Sequence, residues 1–138
     1  MPMISVPLAV RRSIRAAPET VWKIITDTHQ WPRWGPSVQR VESPNRFIQK
    51  GDRGRVKTAA GIWLPFEITE FEPERYWAWK VAGVRATGHR VEPVGNAGSD
   101  PDEPGGCRLI FEAPAIAFPY LSVCRWAAGR IRRMAEAD

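Results

Sequence analysis

The feature that most constrains this fold is a series of short strand-like segments between residues 38 and 113, with no helical segment among them. Apolar and polar residues alternate through much of the series, and turn-forming residues separate its members. Strands joined by such short connections pair antiparallel, because a parallel pair needs a long crossover. The predicted strands are VQRVES (38–43), RGRVKTAA (53–60), IWLPFEITEF (62–71), YWAWKVAG (76–83), VRATGHRVEPV (84–94) and CRLIFEA (107–113).

A further strand and a helix come before this series. ISVPLAVRRSIR, residues 4–15, alternates as a first strand does. The stretch APETVWKIITD, residues 17–27, follows with Pro18 at the first helical position and Glu19 at the positive end of the helix dipole. Its apolar residues recur at helical spacing, so this helix lays one stripe on a core.

Two tryptophans lie in the short segment THQWPRWGPSV, residues 28–38, which cannot form a long helix. Pro32 and Pro36 limit it to short helical turns. The segment therefore predicts a helical elbow, with Trp31 and Trp34 filling the gap between the elbow and the sheet edge. Trp34 is also a candidate for one wall of a cavity entrance.

The last long segment, FPYLSVCRWAAGRIRRMAEA (118–137), predicts a helix that covers the sheet. One arc is apolar and holds Tyr120, Leu121, Cys124, Ala127, Ala128, Ile131 and Ala135. The opposite side is basic. The predicted class is α+β: a curved antiparallel sheet of about seven strands wrapped around a long C-terminal helix, with a short helical elbow after strand 1. A curved sheet around one helix leaves a hollow that the helix does not fill.

Composition limits the function classes. The 138 residues, 43% hydrophobic and 25% charged, predict a single domain over residues 1–138. No apolar run is long enough to span a bilayer, and the N-terminus does not fit a signal peptide. We therefore expect a cytoplasmic protein without integral membrane association. The formal charge of +5 comes with no nucleic-acid-binding motif, so a nucleic-acid partner is not predicted.

The cysteines and histidines do not predict a metal site. Cys107 and Cys124 have no metal-ligand spacing, and His29 and His89 are the only histidines. Two free thiols in a reducing compartment are favoured over a disulfide. Neither a metal nor another cofactor is predicted.

The order of these segments resembles the START-related helix-grip superfamily, also called SRPBCC, and within it the polyketide cyclase/dehydrase-like proteins. The resemblance rests on SIRAAPETVWKIITDTHQWPRWGPSVQRVES, GDRGRVK, ITEFEPERYWAW, HRVEPV and CRLIF, taken in this order and spacing. It implies a cavity between the sheet and the last helix that holds a hydrophobic or amphipathic small molecule. Members of the group cyclise or dehydrate polyketides, carry lipids or quinones, or bind hormones, and they share no catalytic residue. The activity therefore stays open.

Strand and helix periodicity selects the candidate site residues. His89 lies on the inward face of its strand and is a candidate acid or base, or a hydrogen-bonding partner. Tyr120, on the inner arc of the last helix, is a candidate hydrogen-bond donor. The predicted ligand-binding set is Trp34, Leu64, Phe66, Trp77, Trp79, Thr87, His89, Phe111, Tyr120 and Cys124.

Three functions remain open at this point. The first is binding of a small hydrophobic or aromatic ligand, polyketide-, lipid- or quinone-like, by a monomer or homodimer. The second is a polyketide cyclase or dehydratase that uses His89 as acid or base. The third is docking of the basic side of the last helix to an acidic partner or an anionic membrane.

Other residues receive structural expectations. Glu67 and Glu70 are predicted to be solvated, and Asp27 to pair with Arg33 or to cap the elbow. Trp22 and Trp126 are predicted to be partly exposed or packed at helix edges. The segment 95–106, rich in glycine, proline and acidic residues, is predicted to be a mobile loop.

Overall fold

The computed structural model describes residues 8–94, 106–113 and 121–137. Seven strands form one antiparallel sheet in the order β1-β7-β6-β5-β4-β3-β2. This arrangement confirms the predicted class. The strands are β1 (Leu8–Ile14), β2 (Val38–Glu42), β3 (Arg53–Thr58), β4 (Trp63–Glu72), β5 (Tyr76–Val81), β6 (Val84–Pro93) and β7 (Cys107–Ala113).

Three helices accompany the sheet: α1 (Pro18–Thr26), the one-turn α2 (Trp31–Trp34) and α3 (Leu121–Glu136). Helix α3 packs on β1 and β7 at one edge of the sheet and also contacts α1 and α2. Helix α2 packs on β2 at the opposite edge and on α3. The long helix therefore covers mainly one side of the concave face, and the elbow reaches toward the other.

Irregular pairing bends the sheet. The strand register shifts between Val38 and Arg40, between Ile68 and Glu70, and between Ala78 and Lys80. Each such bulge increases the local twist and bends the strand that carries it. The resulting curvature gives the sheet a concave face, on which the core and the candidate site lie.

Trp22 is buried. Of the two alternatives predicted for it, partial exposure is wrong, because only 8% of the residue is accessible to solvent. Its ring meets the Phe71 ring edge-on, with centroids 5.6 Å apart. Trp22 therefore extends the buried stripe of α1 over the end of β4, and it belongs to the core. Trp126 is partly exposed, as predicted.

Asp27 pairs with Arg46 and not with Arg33. The Arg46 guanidinium donates from Nε and Nη2 to the two carboxylate oxygens at 3.0 and 2.9 Å. The backbone amide of His29 also donates to Oδ1. The Asp27 carboxylate therefore caps the elbow, which was the second of its two predicted roles. Burial raises the pKa of Asp27, but these hydrogen bonds outweigh it and leave the pKa below its usual value.

Candidate functional site

Three aromatic rings lie side by side at the middle of the concave face. Strand register places Trp77 directly opposite His89, and His89 directly opposite Phe111. The imidazole stacks on the Trp77 indole with centroids 3.8 Å apart, and it meets the Phe111 ring edge-on at 5.0 Å. The inward face predicted for these strands is confirmed by this register.

Hydrogen bonds occupy both nitrogens of His89. Nδ1 lies 3.2 Å from the carbonyl oxygen of Trp77, and Nε2 lies 3.0 Å from Oγ1 of Thr87. A carbonyl oxygen only accepts, so Nδ1 carries the hydrogen in this arrangement. Nε2 then accepts from the Thr87 hydroxyl, whose oxygen accepts from the indole N–H of Trp79 at 3.1 Å. This chain of bonds determines the tautomer and the orientation of the ring.

The environment keeps His89 uncharged. Only 1% of the residue is accessible to solvent. Burial lowers the pKa of His89 to about 3, although the Trp77 carbonyl acts in the opposite direction. At neutral pH the imidazole is therefore neutral, with its one N–H directed at a backbone oxygen.

Trp31 closes the space above this row of rings. Its indole lies nearly parallel to that of Trp77, with centroids 5.3 Å apart, and it meets the Trp79 ring edge-on. The Trp31 indole N–H donates to the carbonyl of Ile25 at 2.9 Å, which ties the elbow to the end of α1. Trp31 acts as a wedge, but it fills the interior over the central strand β5 and not the gap between the elbow and the sheet edge that was predicted.

The space left beneath α3 is small. An aromatic chamber with a volume of about 40 Å³ lies between α2, α3 and the sheet. Its walls include Trp31, Trp34, Trp77, Trp79, His89 and Phe111, together with Cys124 and Ala127 of α3. Such a volume holds about one to three water molecules. The rings therefore occupy most of the hollow that the sequence placed here.

A larger apolar groove opens in front of Trp79. Its volume is about 340 Å³, and it crosses the concave side from β2 to β7. The walls are mostly apolar and are formed by Val38, Val56, Leu64, Trp79, Val81, Ala86 and Ala113, with the polar residues Ser37, Thr58 and Thr87 and the charged Arg85. Val38, Trp79 and Thr87 also border the aromatic chamber, so these residues form the partition between the two spaces.

The predicted ligand-binding residues divide between these two spaces. Leu64, Trp79 and Thr87 line the groove. The chamber, in contrast, is bordered by Trp34, Trp77, Trp79, Thr87, His89, Phe111 and Cys124. Phe66 is buried against Trp31 and Trp79 and borders neither space. Tyr120 and the predicted loop 95–106, except Gly106, lie outside the described residues.

The sequence prediction did not include several residues that line the groove: Ser37, Val38, Val56, Thr58, Val81, Arg85, Ala86 and Ala113. Val56 and Val81 lie at alternating positions of their strands that point inward, so the sequence pattern could have identified them as groove residues. Ala86 and Thr87 both face the groove because the bulge between Ala78 and Lys80 interrupts the alternation of the paired strand. No local sequence signal identifies such a bulge.

One buried polar atom of the aromatic cluster has no partner within the described part of the chain. It is the indole nitrogen of Trp77. The indole nitrogens of Trp31, Trp34 and Trp79 each donate to a protein oxygen. A buried donor without an acceptor costs about 1–3 kcal/mol. The Trp77 N–H is therefore available to a hydrogen-bond acceptor.

The cysteines are inert in this setting. Cys107 and Cys124 are both free and buried. Burial raises the pKa of each thiol to about 11, so neither is a thiolate at neutral pH. Within residues 8–94, 106–113 and 121–137, no group of histidine, cysteine or acidic side chains is arranged to hold a metal ion. None of the described helices has the length and apolar character needed to cross a membrane.

The sheet, the elbow and the long helix together define a helix-grip protein with an apolar groove. Comparisons with known proteins agree. The family model described as polyketide cyclase / dehydrase and lipid transport matches residues 6–137. The chain belongs to this family.

Curated relatives include the uncharacterized proteins Mb2604 of Mycobacterium bovis and Rv2574 of Mycobacterium tuberculosis. Each is 28% identical to this chain over an alignment of 116 residues. The match covers 76% of this chain. The matched region covers 64% of the length of either relative. The relatives are thus longer than the region they share with this chain.

Solved structures share the fold at low sequence identity. XoxI from Bacillus cereus is 13% identical, with a TM-score of 0.66 over 94% of this chain and 95% of that one. MLL2253 from Mesorhizobium loti is 14% identical, with a TM-score of 0.66 over 93% of this chain and 95% of that one. The Aha1 dimer from Colwellia psychrerythraea is 15% identical, with a TM-score of 0.64 over 95% of this chain and 96% of that one. At such identities the likeness concerns the fold alone.

Proposed function

We propose that this protein binds a small hydrophobic or aromatic molecule in the groove in front of Trp79. The observation that carries the proposal is the volume of about 340 Å³, bordered mainly by apolar side chains. Pockets for small organic ligands have about this size and makeup. Family membership supports ligand binding in general, since its description includes lipid transport.

The chemistry of the walls favours a ligand with an apolar body and few polar groups. The Thr87 hydroxyl is already engaged with His89 and Trp79. The Thr58 hydroxyl accepts from the backbone amide of Ile62, and the Arg85 guanidinium lies 3.9 Å from the Glu70 carboxylate. A polyketide-, lipid- or quinone-like molecule meets these conditions, because it gains mainly from burial of apolar surface and from contact with the Trp79 ring.

The predicted site residues then act in two ways. Leu64, Trp79 and Thr87 contact the ligand directly. Trp31 and Trp77 of the chamber wall and the buried Phe66 lie behind Trp79. Their ring centroids are all within 5.7 Å of that of Trp79, so they hold its ring in position. Tyr120 stays a predicted contact.

The alternative of a cyclase or dehydratase with His89 as acid or base has less support. A general base needs a lone pair near the substrate, and Nε2 already accepts from Thr87. A pKa of about 3 makes the ring a weak base. Catalysis by His89 would require this network to open, with the ring reaching the ligand.

Filling the groove tests the proposal. Ala86→Phe places a ring in the groove, and we expect the affinity for the uncharged probe N-phenyl-naphthylamine to fall at least about tenfold, as measured by its fluorescence. Val84→Phe is the matched control on the same strand. Val84 is 67% exposed and borders neither the groove nor the chamber, so affinity there should not change.

Two results would contradict ligand binding in this groove. One is the absence of probe binding by the unmodified protein. The other is an equal affinity of Ala86→Phe and the unmodified protein while both remain folded. Native mass spectrometry of protein purified from its own host would identify a co-purified molecule. The cytoplasmic location, the single domain over 1–138 and the choice between monomer and homodimer stay predictions.

A further inference from the structure

The arginines of this protein differ in their pairing on two sides of the molecule. On the sheet, arginine side chains form ion pairs with glutamates of other strands. The pairs are Arg53–Glu67, Arg55–Glu42, Arg85–Glu70, Arg90–Glu112 and Arg108–Glu92, at 2.6 to 4.0 Å. Glutamates thus balance these five strand arginines, whereas Arg11, Arg40, Lys57 and Lys80 of the strands form no ion pair with a described residue.

The helical side carries arginines without such partners. Arg125, Arg130 and Arg133 lie on the outer arc of α3, and Arg33 lies on α2. Within the described part of the chain, none of these takes part in an ion pair. Arg132 differs from them, because it pairs with Glu136.

Arg12 of β1 adds a further positive charge to this side. A Cβ at Gly129 of α3 would lie 3.5 Å from the Arg12 guanidinium, so this side chain runs alongside the helix. Arg12 also lacks an ion pair among the described residues. We call the set Arg12, Arg33, Arg125, Arg130 and Arg133 the basic helix face.

An exposed tryptophan lies at the centre of the basic helix face. Trp126 is 46% exposed, and the Arg130 guanidinium lies over its ring at 4.5 Å. Arg133 follows seven residues later, which places it on the same stripe of the helix. A large exposed indole among unpaired arginines is typical of a surface that meets a membrane interface, where tryptophan and basic side chains are both favourable.

The basic helix face also adjoins the aromatic chamber. The Arg130 Nε donates to the backbone carbonyl of Arg33 at 3.1 Å and thereby joins α3 to α2. The inner sides of the same two helices supply Trp34, Val123 and Ala127 to the chamber wall. A surface docked through this face would therefore lie beside the α2–α3 wall of the aromatic chamber.

We propose that the basic helix face docks onto the surface of an anionic phospholipid bilayer, with Trp126 inserted among the lipid headgroups. The arginines of the basic helix face complement the phosphate and carboxylate charge of such a surface. The central indole favours a bilayer over an acidic protein, because it gains from partial burial at the interface. This proposal goes beyond ligand binding in the groove and is tested without any ligand.

Vesicle sedimentation tests the electrostatic part. We expect the protein to sediment with phosphatidylcholine vesicles that contain phosphatidylserine, not with phosphatidylcholine alone, and to be released by salt. The double variant Arg125→Gln/Arg133→Gln should bind about 25-fold more weakly. The matched control, Arg53→Gln/Arg108→Gln, removes the same charge from the sheet side at residues that border neither the groove nor the chamber, and it should bind as the unmodified protein does.

The indole is tested separately. Trp126→Ser should weaken binding to the anionic vesicles at least about threefold, because partial burial of the ring is lost. Ile62→Ser is the control, since Ile62 is also an exposed apolar residue, at 58%, and lies at the start of β4. Its vesicle binding should not change.

Three outcomes would overturn membrane docking. The first is a failure to sediment with anionic vesicles at low salt. The second is an equal loss of binding in the two double variants, which would indicate a general effect of net charge. The third is full retention of binding by Trp126→Ser together with equally tight binding to polyglutamate, which would favour an acidic polypeptide as the partner.

Discussion

The aromatic chamber and the apolar groove lie next to each other on the same concave face, yet one is almost filled and the other is open. Both are bordered by Trp79 and Thr87, and both are built mainly from apolar side chains. The difference comes from what lies above them. Helix α2 places the Trp31 indole on Trp77 at one position, whereas no ring of the described residues lies over the groove in this way.

This difference separates stability from binding within one sheet. Stacked and edge-on rings in the chamber bury large apolar areas, and they contribute to the free energy of unfolding. The half-buried side chains of the groove contribute less to stability, but they leave apolar surface for a ligand. Substitutions that act on one space and not on the other test this division.

The largest effect is expected where the chamber is emptied. Trp31→Ala removes a buried indole, its stacking on Trp77 and its hydrogen bond to Ile25. We expect the free energy of unfolding in urea to fall by about 3–5 kcal/mol. Trp126→Ala, which changes an exposed indole, should cost under about 1 kcal/mol. Similar losses in the two variants would contradict the role of Trp31 as the element that fills the chamber.

The next effect concerns the neutral histidine of the chamber. The folded state lowers the pKa of His89 from 6.5 to about 3, so the unfolded chain binds a proton first as the pH falls. Stability is therefore lost progressively as the pH falls below about 6.5, and about 2 kcal/mol should be lost between about pH 6 and about pH 4. In His89→Phe this dependence of the free energy of unfolding on pH should be largely absent.

Urea unfolding at a series of pH values measures this slope. His29→Phe is the control, because His29 is an exposed histidine and its replacement should leave the slope unchanged. If the free energy of unfolding of His89→Phe still fell with decreasing pH, other groups would cause the acid sensitivity. That result would contradict a contribution of the neutral, buried His89 to the pH dependence of stability.

The smallest effect on stability is expected in the groove. Leu64→Ala shortens a half-buried groove wall and should cost about 1 kcal/mol, but it should weaken N-phenyl-naphthylamine binding several-fold. Ile68→Ala, on the same strand and fully buried, should cost about 2–5 kcal/mol. Below its unfolding transition, that variant should bind the probe normally. The reverse pattern would contradict ligand binding in the groove.

Much of the architecture could be predicted because its signals are local. Alternation along β4, β5 and β6 identified the inward faces of Phe66, Trp77 and His89, and the spacing of Cys124, Ala127 and Ile131 identified the buried arc of α3. Pro32 and Pro36 correctly indicated that α2 is short. Each of these inferences depends on residues a few positions apart.

The site was predicted less completely because its features depend on distant contacts. Arg46, not Arg33, reaches Asp27, since a loop residue following β2 comes close to the end of α1. The burial of Trp22 depends on Phe71, and the groove wall at Ala86 depends on a bulge. The family resemblance indicated a cavity, but it did not indicate that aromatic rings fill most of it.

The order of strands and helices and their apolar faces could thus be predicted from residue periodicity, and the resemblance to the family came from short motifs in series. The tautomer of His89, the closing of the chamber by Trp31 and the position of the open groove arise only when the elements pack. The physical reason is that hydrogen bonds and ring contacts join residues that are far apart in the chain. Whether a ring fills a space or borders it depends on the side chains that other elements bring there.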